Sequence, residues 1–371
     1  MSSQTTIGRH YITGRTLAVR HEAGRIVSVE ECSESTLLWL APGLIDLQIN
    51  GYAGVDFQRD GVTEQQLLRA AAGLSKDGCS RWLLTLITDD WARLMARLRQ
   101  TKQLRDGNPE LKQAIVGWHI EGPFLSPELG FRGAHPPEVM CEPTLAHLEE
   151  LKSITGDDPV LLTMAAERGG VVDLIPKARE MGMRVSIGHS DSSADELQRS
   201  VVAGATGFTH LANGMPQQMD RHDNIVGRVF DTKGLTAGVI PDRIHVSPQM
   251  FRTIHKAMPR EHIYYTTDAM SAAGAPPGRY TVGRIELEVG ADKVVRMPGQ
   301  TNFAGSALSP IDGIRRAATM LGCSWREVWD FMSTNAAGLM GFECGFEAGA
   351  PADFYVIDEA VDGTIEIRRD G

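Results

Sequence analysis

Several polar side chains interrupt apolar runs of this sequence at places where a hydrophobic core would not want them. "WHIEGPF" puts Glu121 at the end of an apolar run just before Gly-Pro, with His119 two residues earlier on the same face of a strand. An unpaired carboxylate buried there would cost several kcal/mol, so Glu121 calls for a cation or a dense hydrogen-bond network. "VSIGHSD" ends in His189 and "FTHLANGMP" carries His210. Two imidazoles and one carboxylate with an open position form a ligand set for catalytic zinc. "YYTTDAM" supplies Asp268, a carboxylate able to take a proton from water and return it to a leaving group. His135, in "SPELGFRGAHPPE", can act as an electrophile or substrate contact from a loop, and His245, in "PDRIHV", is similar. His119 sits deeper and reads as a hydrogen-bonded core histidine or a support for its neighbours. Each histidine alone is also compatible with a satisfied core position; the set gains meaning only if one fold brings it together.

That fold must bring the ends of many strands to one rim. Short apolar runs ("GLIDLQIN", "RWLLTLIT", "AIVGWHIE", "VLLTMAAE", "RVSIGHS", "GFTHLAN", "LTAGVIP", "IYYTTDA") alternate with amphipathic stretches such as "VTEQQLLRAAAGLSKDG" and "SADELQRSVVAGA". The latter opens on Ser192 or Ser193 as a cap, with acidic residues in its first turn. Alternation of this kind calls for a parallel sheet. Eight strands in roughly 230 residues suit a (β/α)8 TIM barrel, whose active sites lie at the C-terminal ends of the strands. A doubly wound open sheet is the rival, but no Gly-x-Gly-x-x-Gly turn follows the first strand. Residues 7–40 and 350–371 read instead as short alternating strands with turns, predicting a small β-sandwich built from both termini. The expected domains are 1–42 for the first part of the sandwich, 43–340 for the barrel with a β-hairpin near 279–297, and 341–371 for the second part.

Bulk composition narrows the function classes. The 371 residues are 42% hydrophobic and 23% charged, with a formal net charge of -10, and no basic stripe suggests nucleic acid. Cys32, Cys79, Cys141, Cys323 and Cys344 are scattered and never Cys-x-x-Cys, as expected of reduced thiols. The N-terminus shows no apolar core of signal-peptide length and no stretch approaches a membrane span. The expectation is a cytoplasmic soluble protein.

Eight segments occur in an order that identifies a family: "PGLIDLQINGYAGVDF", "HIEGPFLSPELGFRGAHPPE", "SIGHSDSSADEL", "FTHLANGMP", "VIPDRIHV", "TTDAMSAAG", "FAGSALS", and "NAAGLMG" followed by "FEAGAPADFYVID". Together they resemble the N-acetylglucosamine-6-phosphate deacetylases of the amidohydrolase superfamily. Members with His-x-His on the first strand can hold two metals; Gln48 and Asn50 occupy those places here and resemble the one-metal type. Neutral amides compete poorly for zinc beside imidazole and carboxylate. The resemblance therefore implies one divalent metal on Glu121, His189 and His210, with zinc (Zn2+) first and Fe2+, Co2+ or Mn2+ as alternatives. Gln48 and Asn50 would line the vacant second position. Asp268 would move the proton, His135 would polarise the acetamide carbonyl, and Tyr52 would border the acyl pocket. His135, Asn213, Gly214, Arg221 and His245 would bind the amino sugar, in a homodimer whose Arg221 reaches the neighbouring site.

The sequence departs from the family at two points. Family members commonly read Asn-Ala-Met where this chain has Asn213-Gly214-Met215, and Arg221 stands in "MDRHDNIVG" rather than Arg-Glu-Pro-Gly. Asp220 and Asp223 beside a phosphate site would oppose a dianion, so an unphosphorylated or galacto-configured N-acetylhexosamine is the alternative substrate. A cyclic-amide hydrolase would want His-x-His and a bridging lysine. A non-catalytic sugar-phosphate-binding protein would have lost its base or a ligand.

Overall fold

A computed structural model describes residues 3–296 and 305–370. Met297, at the end of the expected hairpin, and Phe303 and Ala304 of "FAGSALS" lie outside them. Eight parallel strands form one sheet in sequence order: Leu44–Ile49, Cys79–Ile87, Ile115–Glu121, Val160–Met164, Arg184–Ile187, Gly207–Phe208, Thr236–Val239 and Ile263–Tyr265. A parallel bridge between Ile49 and Ala269, just beyond the eighth strand, brings the sheet's two edges together. The fold is thus the (β/α)8 barrel the alternation predicts.

Strand one shows how the barrel divides its side chains. Ile45 and Leu47 cluster with Leu83, Leu161 and Tyr264 of other barrel strands and with the helix Thr334–Met340, while Asp46, Gln48 and Asn50 find polar partners on other strands. Asp46 accepts from the hydroxyls of Thr266 and Thr267 and from the Thr267 backbone N–H. A buried polar belt crosses the barrel under its mouth: His119 Nε2 lies 2.8 Å from Thr163 Oγ1, which is 2.8 Å from Thr209 Oγ1, itself 2.7 Å from Ser186 Oγ. Burial lowers the His119 pKa to about 4, so this histidine is a neutral member of the belt.

The helices begin as their sequences dictate. Thr63 and Gln66 form a reciprocal capping box on the helix Glu64–Lys76, and Ser193 with Glu196 does the same for Ala194–Ala203. A six-stranded sheet draws on both ends of the chain, in the order Ile365–Arg369, Phe354–Glu359, Trp39–Pro42, Gln4–His10, Thr16–Glu22, Arg25–Glu31. Asp353 stitches it to the second barrel strand by accepting from Ser80 Oγ (2.7 Å) and Arg81 Nε (2.8 Å). Strands Gly278–Val282, Ile285–Val289 and Val295–Arg296 make a separate antiparallel sheet. Among the described residues, no helix is long and apolar enough to cross a membrane.

Candidate active site

The mouth of the barrel is built from strand ends, and three of its residues pay in backbone strain for their positions. His189, His210 and Asp268 have φ of 50°, 29° and 51°, a region that non-glycine residues enter at a cost and that clusters at functional sites. Each lies within three residues of the end of its barrel strand, where the chain turns sharply and leaves its side chain over the opening.

Glu121, His189 and His210 converge, with one ligand atom from each lying within 4.8 Å of the others. All three are buried. His210 Nε2 is 2.9 Å and His189 Nε2 is 3.5 Å from Glu121 Oε1. His189 Nδ1 lies 2.8 Å from the carbonyl oxygen of Phe131. That oxygen only accepts, so the ring proton sits on Nδ1 and the Nε2 lone pair faces the cluster. Burial alone would raise the Glu121 pKa, but the close contacts with His189 and His210 and the charge of His210 outweigh it and hold the carboxyl well below the usual range. For His210 burial works downward, and the Glu121 carboxylate overrides it to raise the imidazole pKa. Two imidazole nitrogens and an ionised carboxylate, closed in from water, fit a divalent cation in chemistry and reach.

Gln48 and Asn50 tie this cluster to Asp268. The Gln48 amide donates to Glu121 Oε1 (2.9 Å) and Asp268 Oδ1 (3.0 Å), and the Asn50 amide donates to Asp268 Oδ1 (2.6 Å). Asp268 is only partly covered at the mouth, yet loss of water and the nearby Glu121 carboxylate push its pKa up to about 7.

The remaining expected residues fall in three groups. His135 reaches the cluster, its Nε2 3.9 Å from Glu121 Oε2 and its ring centroid 4.4 Å from that of His189. His245 is oriented by Asp242, whose Oδ2 is 2.6 Å from its Nδ1, and its pKa is raised because that contact outweighs burial. Asn213 folds back on the His210 carbonyl, and Gly214 packs on His189: at φ +59° a Cβ there would stand 2.7 Å from Nδ1. Arg221 lies exposed in the loop before the helix Ile225–Asp231. Tyr52 differs from expectation: its hydroxyl bonds Asp77 at the end of the helix Glu64–Lys76 and its ring packs beside Gly73 and Gly274, so it braces the strand-one turn. Sequence reasoning passed over Asp242 and Thr88, although the Asp-x-x-His spacing of Asp242 and His245 was a readable signal.

The site's geometry can be set beside known proteins. No protein-family profile matches the chain. N-acetylglucosamine-6-phosphate deacetylase of Danio rerio is 31% identical over 335 residues, covering 86% of this chain and 80% of that protein. The chain belongs to the N-acetylglucosamine-6-phosphate deacetylase family. Another relative, the N-acetylgalactosamine-6-phosphate deacetylase of Escherichia coli O157:H7, is 30% identical over 305 residues, 82% of this chain and 78% of that one. A mutant N-acetyl-D-glucosamine-6-phosphate deacetylase of Mycobacterium smegmatis, solved in complex with N-acetyl-D-glucosamine-6-phosphate, superposes with a TM-score of 0.87 at 26% identity over 100% of this chain and 98% of that one. Membership in this family makes the chain a hydrolase acting on an amide.

Proposed function

We propose that this deacetylase-family enzyme hydrolyses the acetamide of N-acetylglucosamine 6-phosphate, releasing acetate and glucosamine 6-phosphate. The carrying observation is the convergence of Glu121, His189 and His210 beside a carboxylate, Asp268, that two amides hold in place. Glu121, His189 and His210 would hold one divalent cation, zinc by preference. When bound, such an ion supplies Lewis acidity and makes water a nucleophile near neutral pH.

The protein's own groups do the rest. Gln48 and Asn50 both donate to Oδ1 of Asp268, which leaves Oδ2 to take the proton of the attacking water. That proton then goes to the amine nitrogen as the C–N bond breaks, and acetate leaves. His135 donates to the acyl oxygen as it gains charge. His245, held by Asp242, meets the sugar from the opposite side of the mouth.

The loop that troubled the phosphate reading supports it once its contacts are counted. Asp220 Oδ1 accepts from the backbone N–H groups of His222 and Asp223. Asp223 pairs with Arg228 at 2.5 Å, and Arg228 also pairs with Asp191. Both flanking carboxylates are thus engaged locally. Among the described residues no ion pair or side-chain hydrogen bond engages Arg221, which remains available to a phosphate in a neighbouring subunit of a cytoplasmic homodimer. The relative acting on the galacto sugar keeps N-acetylgalactosamine 6-phosphate as the second reading. Amine release from both sugar phosphates and from free N-acetylglucosamine, assayed side by side, tests the proposal. The gluco phosphate should lead; a lead for the free sugar overturns the phosphate assignment.

A further inference from the structure

His135 reaches the mouth from the long loop after the third barrel strand, and its ring meets Thr88, just past the end of the second. Thr88 Oγ1 lies 2.8 Å from His135 Nδ1. The hydroxyl is buried and closely confined: Gly122 has φ +94°, and a Cβ there would stand 2.0 Å from Thr88 Oγ1. The ring's other nitrogen, Nε2, looks toward Glu121 Oε2 at 3.9 Å. The ring is buried, which favours its uncharged form.

A neutral imidazole carries a single N–H, and the two tautomers act oppositely. With the proton on Nδ1, the ring donates to Thr88, Thr88 donates to the Glu121 backbone carbonyl 3.2 Å away, and Nε2 turns a lone pair toward the Glu121 carboxylate. With the proton on Nε2, Thr88 donates over the shorter contact to Nδ1, and an N–H faces the carboxylate instead. The second arrangement avoids lone pair against anion. It also gives His135 the donor that the proposed deacetylation requires, a reading on which this inference rests.

We propose that Thr88 is a positioning residue whose hydroxyl donates to Nδ1 of His135 and fixes the Nε2–H tautomer that meets the acyl oxygen of the substrate. The test uses zinc-loaded, full-length protein labelled with 15N-histidine, with the His135 signals identified by their loss in His135→Gln. Long-range 1H–15N spectra should show Nε2 protonated and Nδ1 bare. Thr88→Val, close in shape but without a donor, should move the two 15N shifts toward each other and lower kcat about tenfold or more, with KM within about twofold. Thr88→Ser should restore both spectrum and kcat. A wild-type spectrum with Nδ1 protonated overturns the proposal whether or not the valine variant folds. So does a Thr88→Val protein with wild-type spectrum and kcat. If His135→Gln turns over at the wild-type rate, His135 is not the donor and the tautomer's role in the reaction falls, even where the spectrum shows Nε2–H.

Discussion

Asn50 donates its side-chain amide to Oδ1 of Asp268 across 2.6 Å, joining the first barrel strand to the turn after the eighth. Gln48 adds a second donor to the same oxygen. The pair therefore serves Asp268, the proposed base, directly, and its hydrogen bonds favour the ionised carboxylate against the burial and the Glu121 charge that raise its pKa.

That balance predicts a pH profile. In metal-free protein loss of water and the Glu121 carboxylate push the Asp268 pKa up to about 7; a cation at Glu121 opposes the shift, so the acid limb of kcat/KM in the loaded enzyme should lie below 7. Activity there rises with pH, because only the ionised carboxylate accepts a proton. Asn50→Asp replaces a donor with a like charge and should move the limb up by about one unit. Asp268→Asn should remove the limb and lower kcat by roughly 10²–10⁴-fold, with bound zinc retained on elemental analysis.

Substrate recognition gives a second expectation. Arg221→Ala should raise KM for N-acetylglucosamine 6-phosphate about 10- to 100-fold, the loss of about 1.5–3 kcal/mol of charged hydrogen bonding. The preference for the phosphorylated over the free sugar should fall in parallel. Steady-state kinetics on both sugars checks this.

Stability gives a third. Asp353 and Arg81 form an ion pair at 2.8 Å in which both side chains are largely buried, and Ser80 donates to the same carboxylate oxygen. Asp353→Ala strands the Arg81 charge and should cost about 3–5 kcal/mol in urea unfolding. Double replacement of Arg81 and Asp353 by apolar residues should recover much of that loss.

Much of this arrangement was legible in the sequence. Apolar runs broken by Glu121, His189, His210 and Asp268 announce strand ends, and alternation with capped helices calls for one rim. The sixth strand is reduced to Gly207–Phe208, yet the order of motifs still marks its place. What could not be read was juxtaposition. Asn50 and Asp268 are 218 residues apart and meet only because the first and eighth strands close the barrel. The positive φ values of His189, His210 and Asp268 have no signature in residue type, since tertiary contacts and not local preference impose them. Thr88 looks like any strand-end threonine until the loop carrying His135 folds over it.

The most direct test of a one-cation site is a zinc titration of chelator-stripped protein, following amine release from N-acetylglucosamine 6-phosphate. Activity should rise linearly and stop at one equivalent, and His189→Ala should lose tight zinc binding. A plateau at two equivalents would contradict the account, because it would place a second cation where Gln48 and Asn50 now hold Asp268.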